Sequence, residues 1–310
     1  MNILLTGGAG YIGSTLTQNL LDRGYEVTVL DNFMFGQASL NHLCHYTGLQ
    51  IVNGDVRDRK LMTSLISDAD VIIPLAALVG APLCAKDPFG ATSINKDSVL
   101  MMLELKSSSQ RVLMPTTNSA YGTGDDNNFC TEESPLNPIS QYAIEKVAVE
   151  RELLNHENVI SFRLATVFGM SPRMRLDLLV NDFCYRAVND GAIVLFESHF
   201  KRNYIHVRDV ANTFIHGIDN FDAMSGEIYN VGLSEANLSK LDLCHAIKRY
   251  VPNLVIIQEE LQKDPDQRNY IVSNAKLEAT GWQASISLDE GLQEVIKGLS
   301  YVKKLGHGNV

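Results

Sequence analysis

The pattern with the clearest catalytic potential is a tyrosine followed four residues later by a lysine, Tyr142 and Lys146. On a helix, residues spaced i and i+4 lie on one face, about 6 Å apart. A free tyrosine, with a pKa of about 10, does not act as a base at neutral pH. A neighbouring lysine can lower that pKa, so Tyr142 could take a proton from a hydroxyl group. The alternative is a solvated pair on a helix surface.

A glycine-rich run near the start of the chain indicates a binding site for phosphates. Residues 6–13 read Thr-Gly-Gly-Ala-Gly-Tyr-Ile-Gly, between an apolar segment and a segment with helical apolar spacing. Gly7 would allow a tight strand-to-helix turn, Gly10 would let the backbone approach a pyrophosphate, and Gly13 would let the helix pack closely. The helix start would hold the phosphates. The run predicts a dinucleotide site; the alternative is a glycine-rich turn in another α/β protein.

An aspartate indicates which dinucleotide would bind. Asp31 lies eighteen residues beyond Gly13, at the carboxyl end of a second apolar strand. Its carboxylate can accept hydrogen bonds from the adenosine ribose hydroxyls and repel a 2′-phosphate. We therefore expect NAD rather than NADP. Lys146 could hydrogen-bond the nicotinamide ribose, and a hydride could pass to NAD as Tyr142 takes the hydroxyl proton.

A segment rich in hydroxyls and amides follows a predicted strand over 111–114. Residues 115–122 read Pro-Thr-Thr-Asn-Ser-Ala-Tyr-Gly. A hydroxyl residue at the carboxyl end of this strand would face the cofactor and could bind the reacting oxygen. The alternative is an ordinary polar turn.

Composition and charge argue against several classes of protein. The 310 residues carry a formal net charge of −10, which disfavours a general binder of nucleic acid or anionic membranes. The longest apolar run, 71–79, is too short to span a bilayer, and no signal peptide precedes the first strand. The five cysteines are far apart and the eight histidines lack zinc-site spacing. We therefore expect reduced thiols, no metal and a cytoplasmic protein.

Alternating strand and helix patterns in the first half must position these residues. The spacing predicts strands at 2–6, 26–30, 50–53, 71–74, 111–114 and 159–163. Helices are predicted at 12–23, 59–67, 94–106 and 141–155. This alternation predicts an α/β protein with a Rossmann-type, doubly wound parallel sheet.

The second half mixes short helices, short strands and polar loops, which predicts a smaller C-terminal substrate-binding lobe. The expected cofactor domain is 1–170, with 202–232 contributing further strands, and the lobe is mainly 171–310. One helix should begin after Ser239, and another should run over 288–304 after Ser287. The tail from 306 should be frayed. Because no low-complexity linker separates the two parts, they should share a cleft.

Motifs along nearly the whole chain resemble the extended short-chain dehydrogenase/reductases of the nucleotide-sugar epimerase/dehydratase kind. Besides the glycine run and the acid at 31, they are GDVRD at 54–58, LAA at 75–77, TTNSAYG at 116–122, YAIEK at 142–146, FRLATVFG at 162–169, RNYIHVRDV at 202–210 and YNVG at 229–232. Together they are highly specific for the family and much less specific for the substrate.

The resemblance implies roles residue by residue. Thr117, Tyr142 and Lys146 match the catalytic residues, and Asn95 matches a supporting asparagine. The expected cofactor-binding residues are Gly7, Gly10, Tyr11, Ile12, Asp31, Asn32, Asp55, Val56, Ala76, Ala77, Tyr142 and Lys146. The expected substrate-binding residues are Asn118, Ser119, Thr166, Arg175, Asn181, Arg202 and Arg268. The last two arginines suit a diphosphate, the alternative for each being a surface ion pair.

Departures from the family pattern narrow the reaction. Members that remove water to form 4-keto-6-deoxy sugars carry an acid one or two places after the catalytic threonine, where this chain has Asn118 and Ser119. Neither side chain is an effective acid or base at neutral pH, so a 4,6-dehydratase is disfavoured. The absence of a cysteine there likewise disfavours a C3/C5 epimerase that uses a thiol.

The chemistry that remains is NAD-dependent oxidation of a nucleotide-linked sugar at C4. Segments 174–183 and 75–84 resemble a subgroup that acts on GDP-linked heptoses, which favours a GDP-heptose or GDP-hexose 4-dehydrogenase. The alternatives are a 4-epimerase, which returns the hydride to the other face, and a non-catalytic NAD-binding regulatory protein.

The resemblance also implies a homodimer built on the helices near 94–106 and 141–155. The apolar residues Val99, Leu100, Met102 and Leu103 permit such a contact, and they are equally compatible with packing on the sheet.

Overall fold

Strands and helices alternate along the chain. The computed structural model describes residues 1–123, 128–259, 268–299 and 301–302. Within them the strands are β1 (Asn2–Thr6), β2 (Glu26–Asp31), β3 (Leu49–Asn53), β4 (Val71–Pro74), β5 (Arg111–Thr117), β6 (Val159–Leu164), β7 (Thr166–Phe168), β8 (Ala192–Phe196), β9 (Lys201–His206), β10 (Ile228–Val231), β11 (Asn237–Ser239) and β12 (Val255–Glu259). The helices are α1 (Tyr11–Asp22), α2 (Arg59–Ser67), α3 (Ala81–Lys86), α4 (Pro88–Thr92), α5 (Ser98–Leu105), α6 (Gln141–Leu153), α7 (Leu179–Asn189), α8 (Val207–Asp219), α9 (Phe221–Met224), α10 (Lys240–Lys248), α11 (Ala275–Glu278) and α12 (Leu288–Gly298).

Seven strands form one parallel sheet in the order β10-β6-β5-β4-β1-β2-β3. β1 lies between β2 and β4, with Ile3 paired to Val27 on one side and to Val71 on the other. The order of the strands along the chain therefore reverses between β1 and β4. In open parallel sheets, ligands bind beyond the carboxyl ends of the strands at such a reversal. The predicted doubly wound sheet is confirmed, and the expected site falls at the ends of β1 and β4.

Helices cover both faces of this sheet because its strands are apolar on both sides. On one face, Leu16 of α1 and Phe214 of α8 join a buried cluster with Leu5. On the other, α2, α5 and α6 surround Leu4 and Ile72. The two helices that carry the expected chemistry, α1 and α6, therefore lie on opposite faces. Each follows the carboxyl end of a strand, so both begin at the same edge of the sheet.

The second half of the chain contributes to both parts of the fold. β10 extends the main sheet beside β6, and α8 packs against α1. β9 instead lies between β7 and β11 in a separate three-stranded sheet. Its parallel partner, β7, is the strand that the chain enters directly after β6. A second core joins this small sheet to α7, α10 and α12. Of the strands expected over 202–232, only β10 joins the main sheet.

Capping boxes begin two helices of the smaller lobe. The side chain of Ser239 accepts from the Asp242 N–H at the start of α10, and Asp242 reciprocates. Ser287 and Glu290 do the same for α12. The predicted end of this helix at 304 is wrong, because α12 ends at Gly298, a residue that favours helix termini. Residues 303–310 lie outside the described part of the chain. Within that part, the helices lack the combined length and apolar character needed to cross a membrane.

The helix predicted over 94–106 begins earlier and contains an irregular turn. Asp87 caps α4 by accepting from the Gly90 N–H at 2.9 Å, and Pro88 takes the first helical position. From there α4, a π turn (Ser93–Asp97) and α5 follow without a break. Single π turns inside α-helices are frequent at functional sites. This one carries Asn95.

Candidate active site

The glycine run forms a tight turn between β1 and α1. Gly7 adopts a left-handed φ of +71°, and a Cβ there would lie 2.6 Å from the backbone nitrogen of Ala76. Gly10 precedes the first turn of α1, and a Cβ on Gly13 would lie 2.2 Å from the Gly7 carbonyl oxygen. Side chains at these positions would fill the space in front of the helix start. The turn therefore fits the pyrophosphate of NAD, as predicted from the spacing.

Asp31 lies beside this turn at the end of β2. Its carboxylate accepts from the N–H groups of Ala9 at 3.0 Å and Phe33 at 2.9 Å. Burial raises the pKa of this carboxyl above its ordinary value, although the two N–H groups and the positive charge of Arg173 oppose the change. The position suits the adenosine ribose. Asn32 is exposed, and its side chain accepts from the N–H of Met34.

The other expected cofactor residues lie at the same edge of the sheet. Two guanidinium nitrogens of Arg57, Nε and Nη2, donate to the two carboxylate oxygens of Asp55. These hydrogen bonds keep the pKa of Asp55 below its ordinary value. Val56 is buried against the core on the α2 side. Ala76 and Ala77 follow β4, and the Ala76 N–H donates to the hydroxyl of Thr6 at 3.4 Å. This brings the end of β4 against the glycine turn.

Thr117, at the end of β5, lies in a buried group of polar side chains. Its hydroxyl accepts from the Ser119 N–H at 3.1 Å and donates to the Ser119 hydroxyl at 3.0 Å. Arg268 also donates to the Ser119 hydroxyl, so the structure brings these two expected substrate residues together. Asn118 is fully buried, and both atoms of its amide lack a hydrogen-bond partner among the described residues. The protein itself therefore leaves both of these buried amide atoms unpaired.

Tyr142 and Lys146 lie in α6, which begins at the cap formed by Ser140 and packs against β5 and the turn that follows it. Burial raises the pKa of Tyr142 to about 12, with the Cys84 thiol adding to the effect. Burial also lowers the pKa of Lys146 to about 8, against the attraction of the Glu145 carboxylate.

The lowering of the Tyr142 pKa that was expected from Lys146 does not appear in the protein without its cofactor, because burial of the phenol outweighs the charges around it. The positive charges that oppose the rise are those of Arg175 and Arg268. These two arginines, both expected to bind substrate, therefore lie close enough to Tyr142 to influence its pKa. The effect of Lys146 on the phenol of the enzyme with NAD bound stays a prediction.

Tyr11 and Asn181 connect the two lobes. The Tyr11 hydroxyl donates to the Gly169 carbonyl at 2.7 Å and accepts from the Asn181 amide at 3.2 Å. The same amide donates to the Arg175 carbonyl and accepts from the Gly169 N–H. Both N–H bonds of the Asn181 amide are thus used within the protein and the residue is fully buried, so we propose that it positions the loop of Arg175 rather than contacting the substrate. Because the hydroxyl of Tyr11 is already hydrogen-bonded within the protein, we expect only the backbone of Tyr11 to contact the cofactor phosphates. Ile12, beside it, is half-buried.

The remaining expected substrate residues lie in or beside the small sheet. Arg175 is buried and forms a two-pronged ion pair with Asp177. Arg202, on β9, is also buried, with its guanidinium 5.6 Å from the centre of the Tyr270 ring. The alternative of a surface ion pair is therefore wrong for Arg202. Thr166 opens β7 and pairs with Tyr204 of β9.

Sequence reasoning missed two buried charges of this region. Arg173 lies in the loop before Arg175, with its guanidinium 4.9 Å from the centre of the Phe35 ring and close enough to Asp31 to lower that residue's pKa. Glu145 lies within α6 and is buried. It stands three residues after Tyr142, a spacing that makes the two side chains neighbours on the helix surface, and this was the available signal.

A glycine turn between β1 and α1, an acid at the end of β2 and a tyrosine–lysine pair on α6 are the features of the extended short-chain dehydrogenase/reductase class of NAD-dependent enzymes. The profile of the NAD dependent epimerase/dehydratase family matches residues 3–232. The chain belongs to this family, and it is an enzyme that uses NAD.

Relatives match the chain over nearly its full length. The low-salt glycan biosynthesis protein Agl12 of Haloferax volcanii is 28% identical over 309 residues, covering 96% of this chain and 97% of the relative. UDP-glucuronic acid decarboxylase 1 of Danio rerio is 28% identical, covering 96% of this chain and 72% of the relative. The structure of UDP-glucose 4-epimerase from Thermotoga maritima with UDP-glucose has a TM-score of 0.82 at 25% identity, covering 96% and 98% of the two chains.

Proposed function

We propose that this enzyme oxidises a nucleotide-linked sugar at C4, with Tyr142 as the base that takes the C4 hydroxyl proton. The observation that carries the proposal is that Tyr142 and Lys146 lie on α6, which packs against β5, the strand that ends at Thr117, and against the turn that follows it. Asn118 and Ser119 provide no acid or base beside Thr117. Oxidation is the chemistry these side chains support without further groups.

The roles follow from the positions of the side chains. NAD, when bound, accepts the hydride from C4. The Thr117 hydroxyl orients the C4 oxygen, Tyr142 receives its proton, and the Lys146 ammonium favours the tyrosinate that must form first. The guanidinium groups of Arg175 and Arg268 oppose the rise of the Tyr142 pKa, and those of Arg202 and Arg268 suit the phosphates of the substrate. A C–H and an O–H bond break, and the products are a keto sugar, NADH and a proton.

The fate of the keto sugar separates two candidates. Release gives a 4-dehydrogenase, and the resemblance of segments 174–183 and 75–84 favours a GDP-linked heptose or hexose as its substrate. Rotation of the keto sugar followed by return of the hydride gives a 4-epimerase. The similarity to a UDP-glucose 4-epimerase supports this second candidate and makes UDP-sugars the necessary comparison. Nucleotide sugars and free thiols suit the cytoplasm, where we expect the enzyme to act.

Mass spectrometry of nucleotide sugars after incubation with the enzyme and NAD tests the proposal. Loss of two hydrogens from a GDP-linked sugar is the expected result. An unchanged mass with a new chromatographic peak would identify an epimerase instead. Loss of water would contradict the roles assigned to Asn118 and Ser119. If no GDP- or UDP-sugar changes, oxidation at C4 of these sugars is refuted.

A further inference from the structure

We propose that Glu145 is a positioning residue for the catalytic pair, because its buried carboxylate ties the π turn to α6 and places a negative charge next to Lys146 in the chain. The inference rests on the proposed roles of Tyr142 and Lys146. Glu145 and Lys146 are each only 3% exposed, so neither charge is stabilised by bulk water. A buried carboxylate without compensating contacts would be strongly unfavourable, so its partners indicate its role.

Two of the three partners of Glu145 come from the irregular helix beside α6, and the third is the first residue of α6. One carboxylate oxygen accepts from the Thr92 hydroxyl at 2.6 Å and from the Gln141 amide at 2.9 Å. The other accepts from the Asn95 amide at 3.0 Å. Thr92 and Asn95 stand at the two sides of the point where α4 becomes the π turn. The carboxylate therefore joins this turn to the start of the catalytic helix.

Asn95 extends the connection towards the cofactor. Its amide oxygen accepts from the Leu78 N–H at 2.8 Å, and its amide nitrogen donates to the Leu78 carbonyl at 3.0 Å. Leu78 directly follows Ala76 and Ala77, the segment expected beside NAD. A continuous set of hydrogen bonds therefore runs from the helix of Tyr142 and Lys146 to the cofactor side of the cleft. Loss of the carboxylate should loosen both ends of this set.

The charge of Glu145 acts on the lysine next to it. Three neutral groups satisfy the hydrogen bonds of the carboxylate, whereas its negative charge raises the pKa of Lys146 against the effect of burial. Burial and the Glu145 carboxylate raise the pKa of the Cys84 thiol, from α3, and Arg175 and Arg268 face Tyr142 from the lobe side. A fixed negative charge favours the ammonium form of Lys146, and only this form can favour a tyrosinate at Tyr142.

Two substitutions separate the charge from the contacts. Glu145→Gln keeps the length of the side chain and removes its charge, whereas Glu145→Asp keeps the charge and shortens the reach to Asn95. Glu152→Gln is the matched control, because Glu152 is a half-exposed carboxylate on the same helix. The readouts are the titration of Lys146 by NMR of 13C-lysine-labelled enzyme, the affinity for NAD by calorimetry and the rate of sugar oxidation. The signal missing from Lys146→Arg assigns Lys146.

We expect Glu145→Gln to lower the midpoint of the Lys146 titration by about one pH unit, because a nearby opposite charge is lost. Glu145→Asp should keep the midpoint and weaken NAD binding about three- to tenfold, and Glu152→Gln should change neither. An unchanged midpoint in Glu145→Gln would overturn the charge role, and unchanged NAD affinity in Glu145→Asp would overturn the connecting role. If one variant fails to fold, the other still tests its own half.

The titration and the calorimetry need no sugar, so they distinguish failure of this inference from failure of the proposed function. If no sugar is oxidised but the Lys146 midpoint moves as expected, only the proposed function is lost. If a sugar is oxidised at C4 and neither variant differs from the parent in midpoint or affinity, only the role of Glu145 is lost.

Discussion

Helix α6 contains two buried carboxylates that are stabilised in different ways. Glu150 accepts from the Arg163 guanidinium and from the hydroxyls of Thr116 and Ser161, so its charge is neutralised by a partner on β6. Glu145 has neutral hydrogen-bond donors and relies on the neighbouring Lys146 for charge. The first arrangement holds the catalytic helix to the strands, and the second affects the chemistry. The two buried glutamates of α6 therefore have different roles, because a positively charged side chain donates hydrogen bonds to Glu150 and only neutral groups donate to Glu145.

The phenol of Tyr142 gives a prediction at this scale. Its pKa is raised to about 12 by burial, so the protein without NAD should form no Tyr142 tyrosinate below about pH 10. The measurement is the tyrosinate absorbance difference between the parent and Tyr142→Phe during a pH titration. A difference signal that develops between pH 6 and 9 in the absence of cofactor would contradict the assignment of the pKa to burial.

The same substitution tests the catalytic role. Tyr142→Phe should lower kcat by about 10²- to 10⁴-fold, because the proton acceptor is lost. Its NAD affinity should stay within about threefold of the parent, since the change removes one oxygen. Tyr301→Phe serves as the control, because Tyr301 is an exposed side chain, and it should leave kcat unchanged. A Tyr142→Phe enzyme with parental kcat would show that another group accepts the proton.

At the scale of elements, the periodic parts of the sequence predicted more than its irregular parts. The six strands and four helices expected in the first half all exist, because buried strands and amphipathic helices leave clear apolar patterns. The π turn left no such pattern, since an extra residue in one turn hardly alters apolar spacing. The hydrogen bond between the side chains of Tyr11 and Asn181 was also not predicted. Its two side chains are 170 residues apart in sequence, and only the folded chain brings them together.

The glycine turn supports a prediction about the entry to α1. Gly13→Ala should weaken NAD binding by at least about tenfold and lower the free energy of unfolding by about 1–3 kcal/mol, because the new Cβ would lie 2.2 Å from the Gly7 carbonyl oxygen. Calorimetry with NAD and urea denaturation measure the two effects. Gly48→Ala is the control, since its Cβ would lie 3.1 Å from the flexible end of Glu26 and 3.2 Å from the Tyr25 carbonyl oxygen, both about 1 Å farther than the contact at Gly13. Parental NAD affinity in Gly13→Ala would mean that the backbone yields without cost to the site.

At the scale of the whole molecule, the expected homodimer remains a proposal, and its residues must be reconsidered. Val99, Met102 and Leu103 pack into the chain's own core between α5 and the sheet, so they are not available to a partner. The sequence was equally compatible with packing of this helix on the sheet, and that interpretation is correct for these three residues. Leu100 is half-buried. Ile144 on α6 is 47% exposed and offers an apolar contact in their place.

A charged substitution tests this reassignment. Ile144→Glu should convert a dimer into a monomer, because association would bury an unpaired carboxylate. The molar mass from light scattering coupled to size-exclusion chromatography gives the answer. Val255→Glu is the control, because Val255 is an apolar residue of similar exposure, 53%, on β12 in the other lobe. A parent that elutes as a monomer at all concentrations would rule out the dimer, and a dimeric Ile144→Glu variant would place its contact elsewhere.

The hydrogen bonds from Tyr11 to Gly169 and Asn181 also bear on how this enzyme can be recombined with its relatives. Tyr11, which follows the glycine turn, is matched by hydrogen bonds to residues of the second half of the chain, so substitutions in one of the two segments affect the other. A chimera that takes its first 150 residues from one parent and the remainder from another would separate these two segments, even though the crossover falls in no catalytic motif. Exchange of sugar specificity between family members is therefore better attempted by keeping the Tyr11 region and residues 169–181 from a single parent.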